Sequence, residues 1–220
     1  PGLRPGDGAG GSDEVTTAGG GRPPELKLVG SRPPEREEIP GAKVLGTFVL
    51  VGSLAMLFFA SMIGYFYVRS HAAHWPPPGM PSLPVGLWVS TLVILGTSWA
   101  IHRAIKAARR DAQAQIVRWT RVTLALGTLF LLLQAWNWAE LVGQSMTPRI
   151  NLYGFTFYLL TGLHAAHVVG GLIPLGLVTR NAARGRYDAR EHAGLTQCAI
   201  YWHFLDVVWV LVFLVLLSGS

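Results

Sequence analysis

Cysteine and charge are both scarce in this chain, and each scarcity excludes something. Among 220 residues there is one cysteine, Cys198, so no internal disulfide can form. It sits in an apolar segment and reads as a small packing residue. Charged residues make up 14% of the chain, against about 25% in an average soluble protein. They are also clustered, leaving long stretches with none, which excludes an ordinary soluble globule. Period-two alternation is absent, as is an even series of ~10-residue segments, so a β-barrel is excluded as well. The formal net charge of +6 is no nucleic-acid signal in such a chain. In a membrane protein the placement of Lys and Arg carries the information.

Large apolar groups are nearly missing from the first forty residues, which are rich in Gly, Pro and charge. Such a segment cannot bury enough surface to offset the entropy of ordering. Residues 1–42 therefore read as a disordered or extended cytoplasmic tail, with "ELKLVG" the piece best suited to dock on a partner. The tail holds no apolar h-region and does not read as a secretory signal peptide.

What the rest of the chain has in abundance is hydrophobic length. Half of all residues are hydrophobic. Five apolar segments cover residues 43–217, at approximately 43–69, 84–106, 115–142, 152–179 and 194–217. Each reaches the ~20 residues that a spanning helix needs. The fold class is all-α: a polytopic membrane protein with five transmembrane helices in a bundle. Pro174 falls inside the fourth segment and predicts a kink.

Basic residues crowd two of the four links. Arg103, Lys106, Arg109, Arg110, Arg118 and Arg121 flank the second link, and Arg180, Arg184, Arg186 and Arg190 the fourth. The other two, "SHAAHWPPPGMPSL" and "GQSMTPRIN", hold only Arg149 between them. The positive-inside rule then puts the N-terminus and both basic links in the cytoplasm, with the C-terminus outside. "HWPPPGMP" predicts a stiff extracytoplasmic turn.

Polar residues within the spans are few. Gln134, Asn137 and Glu140 recur at intervals of three in the third segment. His164 and His167 share one face of the fourth, and His203 and Asp206 one face of the fifth. Intramembrane ionisable groups usually face protein or water rather than lipid. The simplest geometry turns the three stripes toward one another. A carboxylate–histidine metal site is conceivable from these residues. However, bundle di-metal sites favour Glu-x-x-His pairs, and neither that motif nor CxxCH occurs. The other reading is interhelical hydrogen bonding, with His164 and His167 meeting the third and fifth helices. Gly162, Ala165, Ala166, Gly170 and Gly171 would let those helices approach. Glu140 is also a candidate proton relay.

Three stretches carry a family resemblance. "YGFTFYLLTGLHAAHVVGGL" (153–172) resembles the helix of haem–copper oxidase subunit III that bears paired histidines. "YWHFLDVVWVLVF" (201–213) resembles that family's last helix, and "LQAWNWAEL" (133–141) its preceding polar helix. Their order and spacing agree, and the resemblance covers roughly 43–217.

The resemblance implies an accessory, non-redox subunit of a proton-pumping terminal oxidase, most simply cytochrome c oxidase. It would stabilise catalytic subunit I, support proton uptake and hold structural phospholipid. No cofactor or metal would sit on this chain, since the haems and copper belong to partner subunits. Expected partners are subunit I, other oxidase subunits and membrane lipids, with no nucleic acid. The location implied is the bacterial cell (inner) membrane, multi-pass. Gln134, Glu140, His164, His167, His203 and Asp206 would be family-signature residues inside the bundle, none of them catalytic. Many members have seven helices, and this chain matches the last five. Ala55 stands where the family often has Glu, so that carboxylate's role in proton handling does not carry over. Two alternatives stay open: a subunit of a quinol oxidase or a nitric-oxide-reductase-associated homologue, and an independent membrane metalloenzyme using the histidines.

Overall fold

A computed structural model describes residues 42–188 and 192–219. The expected N-terminal tail lies outside the described residues. Five helices follow one another: α1 (Ala42–Ser70), α2 (Gly86–Ala108), α3 (Gln113–Gly143), α4 (Leu152–Ala183) and α5 (Ala193–Leu217). No strand occurs among the described residues. The chain is a polytopic membrane helical bundle. α1, α3, α4 and α5 are each long and apolar enough to cross a membrane. α2 falls short on composition, since it holds Arg103 and Lys106 as well as Ser90, Thr91, Thr97, Ser98 and His102.

The helices are not equivalent. α2 packs on α3, α3 on α4, α4 on α5, and α5 back on α2, so four helices close a ring. α1 lies outside it, against α4 and α5 alone. The ring's centre is filled by large apolar side chains, among them Trp202, Trp209, Phe130 and Phe157, all fully enclosed. α3 and α5 meet across it at Gly127. A Cβ there would fall 2.6 Å from Cη2 of Trp202 and 3.1 Å from Cδ2 of Leu172. Glycine lets the indole lie directly on the backbone of α3.

Hydroxyls within the helices return to their own backbone. Ser53 donates to the Val49 carbonyl, Thr120 to Ile116 and Thr179 to Leu175, each within 2.9 Å. Lipid offers a hydroxyl no water to bond, and the helix's own carbonyls serve instead. α4 begins on Asn151, whose Oδ1 accepts from the Gly154 N–H at 2.8 Å, a side-chain N-cap. It runs on as continuous helix through Pro174 to Ala183.

α2, α3 and α4 stop in the same way. After α4, Gly185 takes φ +70°, Gly185 N–H donates to Ala182 O, and Arg186 N–H to Asn181 O. This crossed pair is the Schellman turn. Ser145 (φ +64°) after α3 and Asp111 (φ +50°) after α2 repeat it. Their bonds run from Ser145 to Val142, Met146 to Leu141, Asp111 to Ala108 and Ala112 to Ala107. Two of these three left-handed positions are held by residues with a Cβ. Short links closed this way make sequential helices antiparallel neighbours.

Candidate functional site

The polar side chains sit at the seams between helices, and each seam has its own fastening. Asn137 Nδ2 of α3 donates to Ser90 Oγ of α2 at 3.2 Å. Trp138 Nε1 of α3 donates to Thr161 Oγ1 of α4 at 3.2 Å, and the Gln113 amide donates to the Ala182 carbonyl. Tyr201 OH of α5 donates to the His167 carbonyl of α4 at 2.9 Å. α5 meets α2 twice. Trp209 Nε1 donates to Thr91 Oγ1 at 3.0 Å. Nearly two turns further along, at the middle of α2, Thr97 Oγ1 donates to Asp206 Oδ1 at 3.2 Å and Ser98 Oγ to Asp206 Oδ2. Ser98 Oγ also lies 2.8 Å from His203 Nδ1. Thr97, Ser98, His203 and Asp206 form a small polar cluster in an otherwise hydrocarbon seam.

α1 is fastened at one end. Arg69 donates through Nη2 to the Ser218 carbonyl at 2.7 Å and through Nη1 to Ser218 Oγ at 3.0 Å. Beside it Trp75 Nε1 donates to Tyr65 OH at 3.2 Å, and the indole stands edge-on to Tyr65 and Tyr153. Elsewhere, among its described residues, α1 buries only Phe58 and leaves Phe48, Met56, Phe59 and Phe66 exposed. Ala55 lies on the wall of an apolar groove of about 420 Å³ between α1 and α5, with Met56, Phe59, Phe204 and Leu211.

His164 meets α3 and α5 as expected, but through aromatic rings; the expected interhelical hydrogen bonds from the His164 and His167 side chains do not form among the described residues. His164 is enclosed by rings, with Trp209 at 5.0 Å, Phe130 edge-on at 5.6 Å and Phe58 at 6.2 Å. Neither of its nitrogens has a hydrogen-bond partner among the described residues. His167 places Nδ1 2.7 Å from the carbonyl of Leu163 on its own helix and packs on Phe58 at 5.1 Å. It borders a groove of about 540 Å³ between α1, α4 and α5. A spacing of three falls about 60° short of a full turn. One ring therefore enters the centre while the other turns toward α1.

The same drift separates the α3 stripe. Gln134 and Asn137 are buried, but Glu140, about 120° round from Gln134, is exposed. Glu140 is thus not in the bundle interior, which corrects the sequence reading. Gln134 is enclosed without a hydrogen-bond partner among the described residues. His203 and Asp206 do act together, but their partner is α2, not α3 or α4. Sequence reasoning passed over Thr97 and Ser98. Two adjacent hydroxyls inside "LVILGTSWA" were the available signal. Among the described residues, no three His, Cys, Asp or Glu side chains come together in a set that could hold a metal.

Comparison with known proteins agrees with this architecture. A family model described as cytochrome c oxidase subunit III matches residues 40–219. The chain is 33% identical over 180 residues to cytochrome c oxidase subunit 3 of Thermostichus vulcanus, covering 81% of this chain and 88% of the relative. It is 31% identical over 177 residues to the protein of that name from Synechocystis, covering 80% and 75%. With the Corynebacterium diphtheriae protein it shares 30% over 180 residues, covering 80% and 87%. A five-helix membrane bundle tied by polar seams, matched by that family model over nearly its whole described length, belongs to the cytochrome c oxidase subunit III family of haem–copper oxidases.

Proposed function

We propose that the chain acts as a non-redox scaffold within a terminal oxidase. It packs against catalytic subunit I, stabilises it through turnover and supports its proton uptake. The haems and copper are held by the partner subunits. The observation that carries this reading is how the polar residues are used. Asp206, His203, Asn137 and the hydroxyls of α2 join helix to helix, which is the work of a support. The relatives named cytochrome c oxidase subunit 3 favour cytochrome c as the complex's electron donor. Gln134, His164, His167, His203 and Asp206 are family-signature residues that shape this support, and Glu140 belongs to its outer surface. The basic α2–α3 and α4–α5 links, with the N-terminus, face the cytoplasm.

The test is purification from native membranes in mild detergent, followed by an optical spectrum, subunit analysis and a donor assay. The chain should travel with a haem-bearing subunit, and the complex should oxidise cytochrome c. A chain that purifies alone, or a complex that oxidises quinol and not cytochrome c, would overturn the proposal. The supporting role is tested by removing the chain. Oxygen reduction should begin near the intact rate and then decay over successive turnovers, whereas a stable rate would reject it.

A further inference from the structure

Two enclosed side chains take no part in the polar fastenings. Gln134 of α3 and His164 of α4 are buried, and none of their four polar atoms has a hydrogen-bond partner among the described residues. An amide or imidazole atom shut away unbonded is costly, because nothing replaces the water it gave up. Buried polar atoms in native proteins are nearly always bonded, to protein or to an enclosed water.

The two lie at one level of the α3–α4 seam. Three contacts fix the register of these antiparallel helices: Gly127 against Leu172, Phe130 against His164, and Trp138 against Thr161. Gln134 stands one turn from Phe130 and one turn from Trp138, so the residues that meet His164 and Thr161 bracket it. It belongs to the buried line Phe130, Gln134, Asn137 and Leu141 of α3, and His164 to the buried line Phe157, Thr161, His164 and Val168 of α4. Both side chains therefore lie inside the ring, yet no direct hydrogen bond joins them.

The polar groups nearest in register are already engaged. Thr161 Oγ1 donates to the Phe157 carbonyl at 2.8 Å and accepts from Trp138 Nε1. Asn137 Nδ2 donates to Ser90 Oγ, which donates in turn to the Gly86 carbonyl at 2.9 Å. Trp209, beside His164, gives its N–H to Thr91. On the side of α1 the buried ring of Phe58 covers His164.

We propose that an enclosed water molecule bridges Gln134 and His164. The chemistry of the pair selects it. A glutamine amide both donates and accepts, and so does a neutral imidazole. A bridge between them must give and receive hydrogen bonds, and the two to four polar partners that an enclosed water takes are present. A metal ion fits less well, since among the described residues no three His, Cys, Asp or Glu side chains come together to hold one. The bridge gives α3 and α4 a polar tie that their side chains do not make directly. It lies between the Trp138–Thr161 bond and the Gln113–Ala182 bond. It rests on the packing of α3 and α4 and does not depend on the oxidase assignment.

The test is a cryo-EM map, detailed enough to show ordered water, of the chain purified in mild detergent with whatever subunits accompany it. A compact peak should lie about 2.7–3.2 Å from an amide atom of Gln134 and from a nitrogen of His164. Gln134→Met and His164→Phe, which keep much of the shape and remove the polar atoms, give a second reading by unfolding in mixed dodecylmaltoside–SDS micelles. Each single change leaves the other residue short of its bridge and should raise the unfolding equilibrium constant by about fivefold to a hundredfold. The double variant removes both ends. Its unfolding constant should fall at least about threefold below the product of the two single effects, and the peak should be gone from its map. A wild-type map without a peak at this place, or with a direct Gln134–His164 bond, would overturn the proposal. So would single effects that simply multiply, or a peak that survives in the double variant and so belongs to other partners. The wild-type map decides alone should a variant fail to insert.

Discussion

Removing the hydroxyl of Ser98 should cost more than removing the carboxylate it serves. Asp206 is 3% exposed and receives one hydroxyl on each oxygen, Thr97 on Oδ1 and Ser98 on Oδ2. Asp206→Leu deletes both contacts and leaves no polar atom stranded. Thr97 keeps the Ile94 carbonyl at 2.6 Å, and Ser98 keeps His203 at 2.8 Å. At about 0.6 kcal/mol for an interhelical hydrogen bond in a membrane, that change costs about 1 kcal/mol. Ser98→Ala also deletes two contacts, to Asp206 and to His203. In addition it leaves a buried carboxylate oxygen unmet, a further penalty of about 1–3 kcal/mol. The total for Ser98→Ala is about 2–4 kcal/mol. The double variant loses three contacts in all and should return toward about 2 kcal/mol, because no stranded oxygen remains. Unfolding of the purified chain in mixed dodecylmaltoside–SDS micelles, followed by far-UV circular dichroism, gives all three values. If Ser98→Ala is the milder single change, or if the double variant equals the sum of the two, the account of this seam is wrong.

Gly127→Ala should destabilise by about 1–3 kcal/mol in the same assay, since the new methyl meets an enclosed Trp202 that has nowhere to move. Ser145→Gly should do the reverse, stabilising by up to about 1 kcal/mol, because the turn after α3 holds an L-residue at φ +64°; a lower thermal midpoint would contradict this. His203→Leu should lower the yield of assembled complex while oxygen consumption per haem in the assembled fraction stays unchanged, and loss of that rate would point to a direct part in the chemistry. Deleting residues 1–40 should leave all five helices inserted, as judged by carbonate-resistant membrane fractionation.

The helices were legible because a lipid environment writes itself into long apolar runs, and α1, α4 and α5 are little else. α2 was the least conspicuous span, and the reason is physical. The hydroxyls of Ser90, Thr91, Thr97 and Ser98 that lower its hydropathy are the partners that Asn137, Trp209 and Asp206 require. His203 and Asp206 could be paired from their spacing, whereas their α2 partners could not, because hydroxyls inside helices ordinarily satisfy themselves on their own backbone. The fate of His164 was hidden for a different reason. Expecting buried polar groups to find polar partners leads to α3 and α5, and those helices do surround it. They present Phe130 and Trp209 rather than Gln134 and Asp206. Glu140 shows the limit of a three-residue stripe, which carries its last member out of the buried arc.

The fastening of α1 also sets an order of events during synthesis. Arg69 and Ser218 are 149 residues apart, and at 5–20 residues per second the ribosome needs on the order of ten seconds or more to make the second after the first. α4 and α5, the only helices that α1 touches, are likewise made later. Throughout that interval α1 must reside in the bilayer as a lone helix. Its composition permits this, because the hydroxyls of Ser53 and Ser61 are bonded to the carbonyls of Val49 and Leu57 on the same helix. Asn137 and Asp206, which depend on the hydroxyls of α2, are found on helices made after it, when those partners already wait in the membrane.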